Sequence, residues 1–173
     1  MSRPPLHALE GFAADFDAMW EIFRSVVATG DALPFAEDFD QEAFRSHWFG
    51  AQAAYVAETD SSVVGMYKFG ANYPGRGSHV ASATYLVHPC SQGRGIGREL
   101  VTHSLARARG EGFTAMQFNH VVSANVPAVE LYRKLGFVVA GTLPRAFRHQ
   151  ALGLVDVYVM YRFLQPEDEE TWK

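Results

Sequence analysis

The spacing of hydrophobic residues along the chain changes repeatedly between helical and strand periods. Apolar residues recur every three or four positions in 14–27, which predicts an amphipathic helix, and a shorter helix is predicted for 41–49. Strand-like runs at 53–58 and 63–69 flank a turn-forming segment and predict a hairpin. The elements predicted after this hairpin are a strand at 80–88, a helix ending near residue 109, a strand at 114–122, a helix at 125–135, and strands at 137–141 and 154–163. This order predicts a mixed α/β fold, with paired strands first and strand–helix–strand units after them.

The length and composition of the chain are those of one globular domain. It has 173 residues, of which 48% are hydrophobic and 20% are charged, and no repeat or linker divides it. The end of the chain, 165–173, combines acidic residues with a proline, which predicts a solvent-exposed tail. We therefore expect a single domain over 1–173.

Charge and cysteine content exclude several classes of protein. A formal net charge of −4 argues against a nucleic acid or an anionic membrane as the main partner, because both need a clustered basic surface. The single cysteine, Cys90, excludes an intrachain disulfide and a zinc site built from cysteines, and we predict no metal site. No apolar run approaches the roughly 20 residues of a membrane-spanning helix, and 1–10 lacks the apolar core of a signal peptide. A cytoplasmic location is the expectation that remains.

The segment with the clearest chemistry is the glycine-rich turn within 85–100. Gly93, Gly95 and Gly97 lie between a predicted strand and a predicted helix, where they let backbone N–H groups approach a ligand closely. Arg94 and Arg98 lie at the end of the helix where the dipole disfavours cations by about 0.3–1 kcal/mol each, unless an anion is bound. The turn therefore predicts a phosphate-binding loop. The alternative is a flexible turn whose arginines point into solvent.

Two segments match sequence motifs that occur together in one enzyme family. Gln92, Gly95 and Gly97 fit the pattern Q/R-x-x-G-x-G/A, and 125–137 fits N-x-x-A-x-x-L-Y-x-K-x-G-F. Nucleotide-binding loops fit less well, because the third glycine of a dinucleotide fingerprint and the lysine of a P-loop are both missing. The chain resembles the GCN5-related N-acetyltransferases (GNAT), of which these are motifs A and B, over about 12–164.

The resemblance implies a fold, a cosubstrate and the residues that bind it. The fold would be α/β, with a mixed, mostly antiparallel central sheet flanked by helices and a splayed strand pair that receives acetyl-CoA. Backbone groups of the first splayed strand would pair with the pantetheine arm, the amides of the glycine-rich turn would hold the pyrophosphate, and a motif B asparagine would bond the arm. The residues implied are Tyr85, Leu86, Val87, Gln92, Gly93, Arg94, Gly95, Ile96, Gly97, Arg98 and Asn125.

The same resemblance implies two catalytic residues, Tyr132 and Asn119. Asn125 and Tyr132 are seven positions apart, so they lie within about 20° of each other around a helix, and the family's tyrosine reaches the cosubstrate sulfur. A phenol near pKa 10 is a weaker acid than a thiol near 8.5, so a hydrogen bond to the leaving sulfur is the expected role, with protonation as its extreme. The alternatives are a helix N-cap for Asn125 and a core-edge aromatic for Tyr132.

The sequence leaves open which group removes the proton of an attacking amine. Some family members carry a glutamate on the strand before motif A, but 80–84 contains no carboxylate. The candidates are His79, Asn119, His120 and the hydroxyl of Tyr85, each of which also has a purely structural interpretation. A chain of water molecules to solvent is a further option.

Two more segments, 72–80 and 118–121, resemble a fungal and bacterial subgroup of the family that acts on small secondary amines such as proline analogues. Asn119 matches an asparagine that lies beside the reacting centre in that subgroup. Ser82 stands where the subgroup usually has asparagine, so the exact acceptor does not carry over.

We therefore expect an acetyl-CoA-dependent N-acetyltransferase in which a small primary or secondary amine attacks directly within a ternary complex. Arg145 and Arg148 could hold a carboxylate of the acceptor, although surface arginines in a loop are the simpler interpretation. Two other functions stay open, a CoA-binding sensor or scaffold with little turnover and a protein or peptide N-acetyltransferase. A homodimer is one option for the assembly, and Trp48 and Phe49 could belong to its interface or to the core.

Overall fold

The computed structural model describes residues 6–8, 14–50, 52–60 and 62–165. These residues form one sheet, in the strand order β1-β2-β3-β4-β5-β7-β6, with only the β4–β5 pair parallel. The strands are β1 (Leu6–Ala8), β2 (Ala53–Thr59), β3 (Ser62–Ala71), β4 (Val80–Val87), β5 (Ala115–Val122), β6 (Val138–His149) and β7 (Gly153–Phe163). The helices are α1 (Phe16–Val27), α2 (Gln41–Trp48), α3 (Ile96–Gly110) and α4 (Val126–Lys134). The predicted α/β fold with a mixed, mostly antiparallel sheet is confirmed.

The predicted elements are all present, and two features of the sheet differ from prediction. The pattern does not predict β1, because a strand of three residues is too short to show a period. β6 continues to His149 although Gly141 and Pro144 suggest an earlier end, because two bulges, at Ala140 and at 144–146, let this edge strand keep its pairing with β7. Arg145 and Arg148 therefore lie in a strand, which corrects their expected place in a loop.

Helices cover both faces of the sheet, and each face has its own core. Successive residues of a strand point to opposite faces, so β3 contributes Met66 to one core and Tyr67 to the other. α1 and α2 cover the first face, and α3 and α4 cover the second. Trp48, the last residue of α2, is completely buried, which assigns it to the core and not to an interface. Buried residues of the first core include Met19, Ile22, Phe23, Phe44, Trp48 and Val56, and those of the second include Leu100, Val101, Met116, Phe118, Val129 and Phe137.

A gap opens in the middle of the sheet between β4 and β5. The two strands pair only from Val80 to Ser82, opposite Ala115 to Gln117. Beyond Ser82, the rest of β4 has strand partners on β3 alone. β5 is irregular at the same level, since its pairing with β7 skips Asn119 and His120. The predicted splayed strand pair is confirmed.

No helix within the described ranges is long and apolar enough to cross a lipid bilayer. Among the same residues, no group of three His, Cys, Asp or Glu side chains lies close enough together to hold a metal ion. The predicted acidic tail lies outside the described residues, apart from Gln165.

Candidate active site

A cleft of about 520 Å³ occupies the gap between β4 and β5. Its walls come from β4, the glycine-rich turn with the start of α3, β5, α4, and the segment between α1 and α2. No aspartate or glutamate belongs to the described lining. Of the eleven predicted acetyl-CoA-binding residues, Arg94 does not belong to the described lining. The other ten line the cleft: Tyr85, Leu86, Val87, Gln92, Gly93, Gly95, Ile96, Gly97, Arg98 and Asn125.

The glycine-rich turn forms one end of the cleft, here called the α3 end. Gly93 (φ 74°) and Gly95 (φ 83°) have left-handed backbones, and Gly95 is the N-cap of α3. A Cβ on Gly97 would lie 3.5 Å from the Leu131 side chain, an ordinary packing distance, so the left-handed positions 93 and 95 are the ones that require glycine. The N–H groups at the start of α3 have no acceptor within the helix. The α3 end can therefore bind an anion through backbone N–H groups, with Arg98 beside them.

β4 forms the wall on which an extended ligand could lie. Its residues beyond Ser82 have backbone groups on the β5 side that no strand pairs with. The Tyr85 side chain points toward α3, where its hydroxyl lies 2.6 Å from Ser104 Oγ. Ser104 Oγ also lies 2.8 Å from the carbonyl of Val101, and the Tyr85 hydroxyl lies 3.4 Å from Met116 Sδ, so both hydroxyls have partners within the core. Burial raises the pKa of Tyr85 well above its usual value, so this hydroxyl is unsuited to act as a base near neutral pH.

Asn125 begins α4 and also faces the cleft. Its Oδ1 accepts a hydrogen bond from the backbone N–H of Ala128 (3.3 Å), as the N-cap interpretation predicts. This bond leaves its Nδ2 group free to donate to a ligand, so the two interpretations of Asn125 are compatible. At the other end of α4, Gly136 has a left-handed conformation (φ 85°), which is typical of a glycine that ends a helix.

Tyr132 brings a phenol to the middle of the cleft. Its ring packs against Phe118, with centroids 4.7 Å apart, and against Phe137 at 6.0 Å. No described residue forms a hydrogen bond with its hydroxyl, which leaves that group available to a ligand. Burial raises the pKa of Tyr132 to about 12. Complete proton transfer to a thiolate would therefore be uphill by about 5 kcal/mol, whereas donating a hydrogen bond carries no such penalty.

The irregular part of β5 presents Asn119 and His120 to the cleft. Asn119 Nδ2 donates to Asn72 Oδ1 (2.6 Å), and its Oδ1 accepts from Gln117 Nε2 (2.7 Å). These bonds bring 72–80 beside 118–121, the two segments that resemble the same subgroup. They also occupy both ends of the Asn119 amide, which is better suited to shape the site than to move protons.

His120 differs from Asn119 in having few polar contacts. Its Nδ1 is buried without a hydrogen-bond partner among the described residues, and the ring lies 5.9 Å from that of Phe147. Burial lowers the pKa of His120, so the imidazole is neutral at pH 7 and able to accept a proton. His79, the other candidate histidine, does not belong to the described lining of the cleft.

The opposite end of the cleft is here called the α2 end, and apart from Ser82 its residues are ones that sequence reasoning misses. They come from the end of α1, the segment after it, α2 and β4, and no local motif connects them. His47 is the titratable residue among them, and Lys68 Nζ lies behind it, 3.2 Å from His47 Nε2. The α2 end consists of Val26, Ala32, Leu33, Pro34, Phe35, His47, Ser82 and Thr84.

Arg145 and Arg148 lie on the edge strand and do not belong to the described lining of the cleft. The backbone N–H of Arg145 donates to Asp156 Oδ1 (2.8 Å), so Asp156 has a structural role in the β6–β7 pair. Past these residues, the tip of the β6–β7 hairpin reaches the segment after α1. There the Gln150 N–H donates to the carbonyl of Gly30 (3.0 Å).

The sequence profile of the Acetyltransferase (GNAT) family matches residues 16–137, which is most of the chain. The chain belongs to the GNAT family. This confirms the predicted family and, with it, the class of enzyme, an N-acetyltransferase. The matched range contains the β4–β5 gap, the glycine-rich turn and α4.

Relatives within the GNAT family include two curated proteins. The N-acetyltransferase aca1 of Schizosaccharomyces pombe is 37% identical over 112 residues, which is 62% of this chain and 53% of that protein. The chain thus matches about half the length of this relative. The L-amino acid N-acyltransferase of Escherichia coli is 32% identical over 139 residues, which is 76% of this chain and 79% of that protein.

Solved structures of the GNAT family share the fold. A GCN5-related N-acetyltransferase from Kribbella flavida is 38% identical, with a TM-score of 0.85 over 91% of this chain and 97% of that one. A phosphinothricin acetyltransferase from Sinorhizobium meliloti, solved in complex with acetyl-CoA, is 24% identical, with a TM-score of 0.81 over 94% of this chain and 89% of that one. At this identity the second match shows the fold alone.

Proposed function

We propose that this GNAT-family protein transfers the acetyl group of acetyl-CoA to the amine of a small acceptor, by direct attack within a ternary complex. The observation that carries the proposal is one continuous cleft with two unlike ends. The α3 end offers backbone N–H groups and an arginine, which suit a pyrophosphate, and the α2 end is mostly apolar with neutral polar groups. Tyr132 lies between them.

Acetyl-CoA, when bound, supplies a thioester carbonyl and a thiolate leaving group. Residues 93–98 would bind its phosphates through the start of α3, and the unpaired edge of β4 would hold its extended arm. Asn125 would donate to the same arm through Nδ2. Tyr132 would donate a hydrogen bond to the sulfur as negative charge develops there, which stabilises the transition state more than the ground state.

The acceptor must attack as a neutral amine. No described carboxylate lines the cleft, so the α2 end does not stabilise the ammonium form by ion pairing. His120 would take the proton released during attack, because it lines the cleft and is neutral at pH 7. A water chain to solvent is the alternative route for this proton.

The size of the cleft supports a small acceptor. About 520 Å³ has to contain both the reactive end of acetyl-CoA and the acceptor, which is the size range of ordinary small-molecule sites. Relatives named for L-amino acids and for L-methionine sulfoximine support an amino-acid-like acceptor. A cytoplasmic location and a homodimer stay predictions.

The test is an acetylation assay with a panel of free amino acids, polyamines, other small amines and short peptides, read by CoA release and by mass spectrometry of products. We expect turnover of at least one small amine with a kcat/KM above that of every peptide. If peptides were acetylated faster than every small amine, the acceptor would be a polypeptide and not a small molecule. Tight binding of acetyl-CoA without acetylation of any amine would instead indicate a CoA-binding protein with little turnover.

A further inference from the structure

Lys68 is a buried charged residue that the mechanism above does not use. It lies on β3, is 6% exposed, and is one of three lysines in the chain. No described carboxylate forms an ion pair with it; its ammonium instead lies over the ring of Trp48, 5.5 Å from the centroid. Burying an ammonium group without a negative partner is costly, so a negatively charged ligand in the adjacent cleft would offset part of this cost.

The contacts of Lys68 connect it to the cleft through His47. The ammonium donates to the backbone carbonyl of His47 (2.6 Å), in the last turn of α2, and to its ring nitrogen Nε2 (3.2 Å). An ammonium has no acceptor, so Nε2 accepts and the imidazole proton is on Nδ1. Phe35 and Phe39 pack edge-on against the ring at 5.0 and 6.2 Å, which restrains its orientation. His47 is thus a neutral N–H donor with a positive charge behind it.

The surroundings of His47 favour an anion. Thr84 is the cross-strand partner of Lys68 and lines the α2 end beside Ser82, so two hydroxyl donors accompany the imidazole. The described lining has no acidic side chain that would compete for the positive charge. The positive potential of Lys68 opposes an ammonium and attracts a carboxylate at this end of the cleft.

We propose that His47, backed by Lys68, binds the carboxylate of the acceptor, so that the acceptor is an amino acid or a closely similar amine bearing a carboxylate. This inference rests on the proposed function and makes its substrate class specific. His47 contacts the carboxylate, and Lys68 acts through His47 as a positioning and charge-supplying residue. Arg145 and Arg148, which lie outside the described lining, do not take this role.

The experiment compares each free amino acid that is acetylated with its own amide, which keeps the amine and side chain but removes the negative charge. Rates are corrected for the fraction of free amine, since the amide has the lower amine pKa. We expect wild type to prefer the acid in kcat/KM by about 10- to 100-fold, the range of a charge-assisted hydrogen bond. Lys68→Met should remove most of this preference through KM for the acid, with KM for acetyl-CoA unchanged.

His47→Leu is the second variant, because this side chain is exposed on one side and its loss leaves the core intact even if Lys68→Met does not fold. It should remove the preference as well. Lys134→Met removes an exposed lysine of α4 and is the matched control, with the preference expected unchanged. Equal rates for acid and amide in wild type, or equal losses for both in the variants, would overturn the inference while the acetyltransferase stands. Failure to acetylate any amine would overturn the proposed function itself.

Discussion

Tyr132 shows how burial decides what a side chain can contribute to catalysis. Its pKa of about 12 keeps the phenol protonated and a poor acid, so the role we propose for it is that of a hydrogen-bond donor. Tyr132→Phe should lower kcat by about 10- to 1,000-fold with little change in the Kd of acetyl-CoA, because the bond to sulfur strengthens only as charge develops. Steady-state kinetics and calorimetry measure the two quantities.

Tyr73→Phe is the matched control, since Tyr73 is 63% exposed and does not belong to the described lining of the cleft. It should leave both quantities unchanged. If Tyr132→Phe were as fast as wild type, the tyrosine would have only a packing role.

Lys68 is predicted to destabilise the folded protein at neutral pH. Burial lowers its pKa from 10.5 to about 8, and His47, whose own pKa is lowered by burial and by Lys68, is the described titratable group in contact with it. Between pH 8 and 10.5, Lys68 is protonated in the unfolded chain but not in the folded one. The free energy of unfolding therefore rises with pH over this range.

Lys68→Met should therefore be more stable than wild type at pH 7, by about 1–3 kcal/mol, and the difference should shrink as pH rises from 8 to 10. Urea unfolding at several pH values measures it, with Lys134→Met as the control. A less stable Lys68→Met would mean that the bonds to His47 act mainly to hold α2 in place.

At the scale of elements, the turn before α3 is the proposed binding site for the phosphates of acetyl-CoA. Gly95 has a left-handed backbone, and a Cβ there would meet no described atom within 4 Å, so a side chain would project into open space at the α3 end. Gly95→Asp should strain the turn and place a negative charge beside the phosphates, weakening acetyl-CoA binding by about 10-fold or more.

Calorimetric titration of folded Gly95→Asp with acetyl-CoA checks this prediction. Gly112→Asp is a suitable control, because Gly112 also has a left-handed backbone (φ 87°) and lies after α3 at its other end. Unchanged affinity in Gly95→Asp would place the phosphates elsewhere.

The irregular part of β5 is a second element with a testable role, because it turns His120 into the cleft. If His120 takes the proton of the amine, kcat should fall as pH drops through its pKa, which burial places below 6.5. His120→Leu should lower kcat at pH 7 by at least about 10-fold and remove this acid limb. The pH–rate profile measures both.

His79→Leu serves as its control, since His79 lies outside the described lining of the cleft. Its pH–rate profile should match that of wild type. If the pH–rate profile of His120→Leu were identical to that of wild type, water and not His120 would take the proton of the amine.

At the scale of the whole molecule, the sequence predicts the parts of the site that are local in the chain. The glycine-rich turn and α4 each place their functional groups within one short segment, so spacing alone brings Gly95 near Gly97 and Asn125 near Tyr132. The pair formed by His47 and Lys68 is separated by 21 positions and forms only when α2 packs on β3. The spacing of hydrophobic residues does not predict how α2 packs on β3. A single lysine within an apolar run also gives no local sign that its side chain is buried beside a cleft. β6 was similarly beyond a pattern-based prediction, because bulges let an edge strand continue through Gly141 and Pro144.

The gap between β4 and β5 passes through the sheet and opens onto both helical layers. Phe35 and His47 border it on the side of α1 and α2, while Ile96 and Leu131 border it on the side of α3 and α4. In the proposed reaction, acetyl-CoA and the acceptor would therefore enter from opposite faces of the sheet and meet in its plane, so neither would block the path of the other. Each product would leave on its own side, and the release of CoA would not have to wait for that of the acetylated amine.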